Sequence, residues 1–198
     1  MYTIGITGGT GSGKTSAVQA LQALGAQALD CDEIYHEMLL SCAQMKEEIE
    51  AHFKGVSTDG KIDRNKLSKI VWNDSASLQE LNLITHKYIN DEIEQRINAF
   101  REQGTKIVAI DAIALIESGQ SSRCDIVIGI TSPQETRIER IVKRDGLTRE
   151  QAQMRISAQQ HESFYIENCD YILENTYTAQ SAFIEKCIEY FRGILKNI

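Results

Sequence analysis

At 198 residues, 42% hydrophobic and 25% charged, the chain suits one α/β domain with a sizeable core rather than two independent domains. Its 21 basic and 28 acidic side chains leave a formal charge of −7. With no run of five or six like charges, that argues against coating nucleic acid or an anionic membrane, though a local basic pocket is still allowed. The five cysteines show no C-x-x-C pair and no zinc spacing, and read as buried reduced thiols of a cytosolic protein. The N-terminal MYTIGITGG starts a strand rather than a leader, and no apolar run approaches the roughly 20 residues of a membrane span. The expectation is a soluble cytoplasmic protein, with a monomer favoured.

In chain order, the apolar run 2–6 predicts a buried strand. A helix follows over 16–24, with Ala17, Val18, Leu21 and Leu24 on one face and Gly25 as its stop. A second strand is expected at 26–29. The next strand begins only at 106, too far for a simple crossover. Between them lie helical patterns at 32–40, 43–53, 64–72 and 77–100, the last with a break inside, and a turn at 57–60. Trp72 reads as a packing anchor of this insertion. Strands are expected at 106–110, 125–130 and 170–173, with a charged helical region at 135–158. Strands alternating with helices imply a three-layer α/β/α architecture around a mainly parallel sheet. The single domain 1–198 then divides into a core (1–31 and 105–198), a helical insertion (32–104) capping the strand ends, where ligands bind in such sheets, and a lid (135–160).

Gly8-Gly9-Thr10-Gly11-Ser12-Gly13-Lys14-Thr15 fits G-x-x-x-x-G-K-[ST] in full, directly after a strand and before a helix. A chance match in a chain this long is on the order of 1%. Glycines let backbone N–H groups converge on phosphate oxygens, and the helix N-terminus adds positive dipole. Lys14 is expected on the β- and γ-phosphates of ATP, and Thr15 on Mg²⁺.

Asp30 and Asp32 close the second strand at i and i+2, on one side of an extended segment. A kinase needs a carboxylate there to accept the attacking hydroxyl's proton, and Asp32 is the candidate base; its bland role is a helix N-cap. Asp30 suits an Mg²⁺-bound water or a backbone turn. Asp111, ending the third strand, is either a water-mediated Mg²⁺ contact or a turn residue. Arg140 and Arg144 share a helix face and suit a lid closing on the triphosphate, whereas Arg137, Lys143 and Arg149 read as a solvated surface. His86 reads as a core or groove histidine, and His36, His52 and His161 as surface or helix residues.

These segments together resemble the dephospho-coenzyme A kinase family over nearly the whole chain. Besides the glycine loop, Leu29-Asp30-Cys31-Asp32-Glu33-Ile34 is similar to its D-A-D-x-I signature. Gly60-Lys61-Ile62-Asp63-Arg64 with Leu67, and Leu81-Asn82-Leu83-Ile84-Thr85-His86, resemble its insertion. Arg140–Asp145, Arg155–Gln159 and Tyr171-Ile172-Leu173-Glu174-Asn175 are similar to its lid and late strand. The resemblance implies a P-loop fold with five parallel strands in the order 2-3-1-4-5, and ATP-dependent phosphorylation of the ribose 3′-hydroxyl of dephospho-CoA. It implies Asp32 as base and Lys14 and Arg140 on the phosphates. Gly9, Thr10, Gly11, Ser12, Gly13, Thr15, Ser16, Arg144 and Asn175 would serve the nucleotide, with Asn175 beside the adenine. Thr7, Asp32, Arg64, His86, Ile113 and Leu115 would serve the acceptor. Three positions depart from the family pattern: Ile113-Ala114 replace Pro-Leu, Lys87 replaces a usual Pro, and Tyr165 stands where a basic residue is common. The rival readings are another P-loop kinase of nucleosides or nucleotides and, in a different class, a nucleotide-dependent switch or adaptor. A guanine-reading N-K-x-D is missing from the sequence.

Overall fold

Alternation along the first strand sets the two faces of the sheet. In β1 (Tyr2–Thr7), Ile4 and Ile6 point to one face and Gly5 to the other. Parallel pairing puts Ile4 beside Ala109 of β5 (Ile107–Asp111) and Ile6 beside Ile128 of β6 (Ile126–Thr131). Ile130 stands beside Leu173 of β7 (Tyr171–Glu174). With β2 (Gln27–Asp30) at the edge, the order is β2-β5-β1-β6-β7. Strands β3 (Ser57–Thr58) and β4 (Lys61–Ile62) form a separate hairpin, so the five sheet strands run 2-3-1-4-5, as the resemblance implies. Each lies within one residue of its predicted place.

The structure, a computed structural model, describes residues 1–58, 60–71 and 74–196, which form two compact units: Met1–Leu29 with Phe100–Ile198, and Asp30–Ala99. Trp72 lies outside the described residues. In the first unit, α1 (Lys14–Ala23) and α9 (Gln180–Leu195) bury Ala17, Ala20, Leu21, Phe183, Cys187 and Phe191 against the isoleucine face. On the opposite face Gly5 admits Leu115 and Cys124; a Cβ there would lie 2.6 Å from Leu115 Cδ2 and 2.8 Å from Cys124 Sγ. The predicted charged region is two helices, α6 (Gln134–Asp145) and α7 (Arg149–Ser157). Gly146 ends the first at φ 66°, and Thr148 opens the second through a capping box with Gln151. The pair buries its own small cluster, Ile138, Ile141 and Ala152. Helix α8 (Glu162–Asn168) follows.

The second unit holds α2 (Cys31–Ser41), α3 (Ala43–His52), the hairpin, α4 (Arg64–Val71) and α5 (Ser75–Glu102). The break expected within 77–100 does not occur: no Gly or Pro falls within α5, and its buried stripe Leu81, Ile84, Ile89, Ile93, Ile97 continues to the end. Residues 57 and 58, expected in a turn, are the first strand of the hairpin. Arg96 pairs with Glu92 (2.7 Å) and Glu37, and Lys87 with Glu48 (2.8 Å). Solvent screens such exposed pairs and leaves them little weight, whereas each buried isoleucine contributes about 1.5–3 kcal/mol. The stripe therefore holds α5 in place. None of the five cysteines forms a disulfide, but only Cys187 is fully buried and the other four are half-buried, which corrects the expectation of five buried thiols. No described helix is long and apolar enough to cross a membrane.

Candidate active site

Between β1 and α1 the chain turns on glycines. Gly8 has φ 142° and packs so closely on the Ile130 carbonyl oxygen that a side chain cannot fit. Gly13, at φ 112°, is the N-cap of α1 and lies under the Asn175 amide. Lys14, half-buried, and Thr15, exposed, open the helix, and the Lys14 ammonium has no hydrogen-bond or ion-pair partner among the described residues. Ser16 is buried behind them.

The loop is held from its carbonyl side. Arg140 Nη1 donates to Gly11 O (3.0 Å), Ser12 O (3.2 Å) and Ser132 Oγ (3.2 Å). Its Nη2 donates to Asn175 Oδ1 (3.1 Å) and Tyr177 O (2.7 Å). Asn175 Nδ2 donates to Ser12 O at 2.8 Å. In a trans peptide the N–H points away from the preceding C=O. Fixing the Gly11 and Ser12 carbonyls on this side therefore turns the Ser12 and Gly13 amides away from it, and the Ser12 amide donates to Gly9 O at 3.1 Å. Burial pushes the Arg140 guanidinium pKa down, but a guanidinium is so strong a base that it stays charged.

The structure separates the two predicted lid arginines. Arg140 meets the loop; Arg144 forks onto Asp145 (2.6 and 2.9 Å), which also takes Arg155 at 2.5 Å. Arg149 pairs with Glu135. Arg137, expected on a solvated face, is instead half-buried on the loop, with Nε donating to Thr10 O at 2.9 Å and Nη2 to Gln159 Oε1 at 3.2 Å. Gln159 Oε1 also accepts from the Thr10 amide at 2.8 Å. Arg137 stands three residues before Arg140, so the i, i+3 spacing was the signal for it; Gln159 was marked only by the resemblance of Arg155–Gln159 to the family's lid. Tyr165 is buried, and burial pushes its phenol up to about 12. Its hydroxyl, Ser12 Oγ and Thr131 Oγ1 find no hydrogen-bond partner among the described residues, and they line one cavity of about 10 Å³, room for a single water.

On the other side of β1, Thr7 Oγ1 donates to Ile113 O at 3.0 Å, tying the strand to the segment after β5. Asp111 ends β5 half-buried, in register with Ile6. Leu115 is 0% exposed and belongs to the packing beneath Gly5, so any influence it has on an acceptor runs through packing.

In the second unit, the N-cap of α2 is Asp30, not Asp32. Asp30 Oδ1 accepts from Asp32 N (2.9 Å) and Glu33 N (3.1 Å). The helix starts at Cys31, so the two carboxylates do not share an extended segment, which corrects the same-side expectation. Asp32 is exposed and its carboxylate is not spent on the cap. An open cleft of about 610 Å³ is walled by Tyr35, Arg64, Asn65, Leu67, Ser68, Val71 and Leu81. Tyr35, which sequence reasoning missed, has its phenol pKa raised by burial, against the opposing pull of Arg64. His86 is half-buried on α5 outside those walls, and burial lowers its pKa.

A glycine loop between β1 and α1, an uncommitted lysine at the helix start and an arginine-bearing helix bonded to the loop, on a five-stranded parallel sheet, define a P-loop kinase. A family model described as dephospho-CoA kinase matches residues 2–180. The chain is 37% identical over 161 residues to the dephospho-CoA kinase of Geobacter sulfurreducens, covering 80% of this chain and 82% of that one. It is 33% identical over 195 residues to that of Corynebacterium jeikeium, covering 98% and 100%. The solved dephospho-CoA kinase of Campylobacter jejuni superposes with a TM-score of 0.71 at 26% identity, covering 98% of each chain. The chain belongs to the dephospho-CoA kinase family.

Proposed function

We propose that this chain transfers the terminal phosphoryl group of ATP to the ribose 3′-hydroxyl of dephospho-CoA, giving CoA and ADP in the final step of coenzyme A synthesis. The observation that carries the reading is the uncommitted Lys14, opening α1 on a loop braced by Arg140 and Asn175, in a chain of this family. The Gly11, Gly13, Lys14 and Thr15 amides and the Lys14 ammonium bind the phosphates, and their fixed positive charge matches charge that grows on the transferring group. The 3′-oxygen attacks phosphorus in line. The O–P bond to the acceptor forms as the bond to the β–γ bridging oxygen breaks, and that electron pair leaves with ADP. The hydroxyl proton goes to Asp32, whose carboxylate Asp30 leaves free by capping α2.

Arg140 and Asn175 serve the nucleotide by orienting the loop, and Arg144 serves it by exchanging Asp145 for phosphate. The Thr15 hydroxyl and Asp111 carboxylate are hard oxygen donors at the helix start and the neighbouring strand end, a set that suits Mg²⁺, which keeps most of its waters. The ion supplies charge neutralisation on the phosphates. For the acceptor, the second unit supplies the cleft beside Arg64, a cation for its pyrophosphate and apolar wall for its arm; His86 of that unit, and Thr7 and Ile113 of the first, are acceptor residues on the family resemblance alone.

The test is ADP release with dephospho-CoA, AMP, adenosine and pantetheine phosphate, using Lys14→Ala as the inactive control and phosphorus NMR to place the new phosphate. Dephospho-CoA is expected to lead on kcat/KM, with truncated acceptors losing kcat as well as affinity. Preference for AMP or a nucleoside overturns the acceptor and leaves the kinase chemistry standing.

A further inference from the structure

Two donors from different elements converge on one neutral oxygen. The Thr10 amide and Arg137 Nη2 both donate to Gln159 Oε1, at 2.8 and 3.2 Å. A loop amide and a guanidinium aimed at one point make a seat for an anionic oxygen, and a carboxamide oxygen satisfies only part of what that pair can bind. Arg137 is anchored there by its Nε on Thr10 O at 2.9 Å, and its guanidinium lies over Gly9, where any side chain would collide with it.

Its charge is uncommitted. Among the described residues Arg137 forms no ion pair, and Nη1 has no hydrogen-bond partner. Glu162 and Tyr165, the acidic groups that act on it, line the same small cavity without reaching it. The other lid arginines are occupied: Arg144 and Arg155 on Asp145, Arg149 on Glu135, and Arg140 on five oxygens behind the loop. Only Arg137 among them combines a place on the loop with free charge.

We propose that Arg137 is a phosphate-binding residue of the transfer step, and that Gln159 Oε1 keeps the place of an oxygen of the outer, transferring phosphoryl group. Backbone amides of such a loop cradle the inner phosphates, and a side-chain cation reaches outward to the transferring one. Arg137 is a second side-chain cation aimed at the loop, four residues from Lys14 at Thr10, so the oxygen marked there is assigned to the outer group. When nucleotide binds, Gln159 gives way, and the Thr10 amide and Arg137 pass to the phosphate. This rests on the kinase reading for its nucleotide but not on the identity of the acceptor.

The test is titration calorimetry of the full chain with ATP and with ADP, each with Mg²⁺ and without acceptor. Arg137→Gln can still donate a hydrogen bond but carries no charge. It is expected to bind ADP within about twofold of the parent and ATP about tenfold or more weaker, as for one lost charge-assisted contact. Turnover with acceptor should fall on the order of 10²-fold with acceptor KM near that of the parent. Equal weakening of ATP and ADP makes Arg137 a loop brace and overturns the proposal, as does unchanged ATP affinity. Should Arg137→Gln not fold, Arg137→Lys decides: it keeps the charge and loses the two-pronged donation. A reduced preference for ATP over ADP then supports the proposal and an unchanged one overturns it. If dephospho-CoA proves not to be the acceptor while position 137 still discriminates ATP from ADP, the acceptor reading falls and this one stands.

Discussion

Asp30 and Asp32 are two residues apart and do different work, which makes them the most direct test at the residue scale. Asp30 spends its carboxylate on two α2 amides, so Asp30→Ala should cost about 1 kcal/mol of stability, the usual loss of an N-cap. Asp32→Asn should leave the denaturation midpoint near that of the parent and lower kcat on the order of 10²-fold, with a smaller change in ATP affinity. The reverse pattern, with stability lost at Asp32 and activity kept, would return the base to another residue. His86 yields a pH prediction. Burial lowers its pKa in the folded protein, so the unfolded chain takes up the proton first as pH falls below about 6.5. Its contribution is therefore intact above that pH and is lost as pH drops through the folded pKa. Denaturant midpoints measured from pH 7.5 to pH 5 should fall less steeply in His86→Gln; parallel curves would show that His86 ionises alike in both states. Sequence could place these side chains in the chain but not assign the cap, because i and i+2 share a side only if the backbone stays extended, and here the helix begins between them.

At the scale of elements, the loop and α6 form one hydrogen-bonded assembly. Arg140→Ala removes donors from Gly11 O, Ser12 O, Ser132 Oγ, Asn175 Oδ1 and Tyr177 O together. Leaving such acceptors short should cost about 2 kcal/mol or more. Because the loop as a whole loosens, ATP and ADP affinity should weaken alike, and kcat should fall with them. Loss of turnover with stability and both affinities unchanged would instead put Arg140 on the reacting phosphate itself. The elements were legible in the sequence where local rules suffice. A full glycine-lysine motif after an apolar run needs only its neighbours to be recognised, and β1, β2, β5, β6 and β7 each appear within one residue of expectation. The break expected in α5 has no Gly or Pro to make it, and one helix runs from Ser75 to Glu102. The single charged region at 135–158 hid a Gly146 stop and a Thr148 capping box, signals that were present and went unread.

For the whole molecule, burial of the sheet and its helices sets the reactivity of the thiols. Burial pushes Cys124 and Cys187 up to about 12 and Cys169 up to about 11, so at pH 8 each is almost wholly protonated and poorly nucleophilic. A thiol reagent should leave these three unmodified in the folded protein and label them on unfolding in denaturant, read by mass spectrometry of timed samples. Prompt modification of Cys124 in the native protein would mean that the Gly5 face of the sheet opens far more readily than its packing implies. By itself the sequence determined the nucleotide loop, the strand positions and the class of chemistry, since each is encoded in spacings of a few residues. Only the tertiary structure decided which arginines meet the loop, what occupies the Thr10 amide, and that Tyr35 walls the cleft with Arg64. Arg137 and Thr10 are 127 residues apart and Gln159 and Thr10 are 149 apart. Helical spacing shows which side chains share a face, but which face meets the loop depends on how remote segments pack, and no local pattern records that.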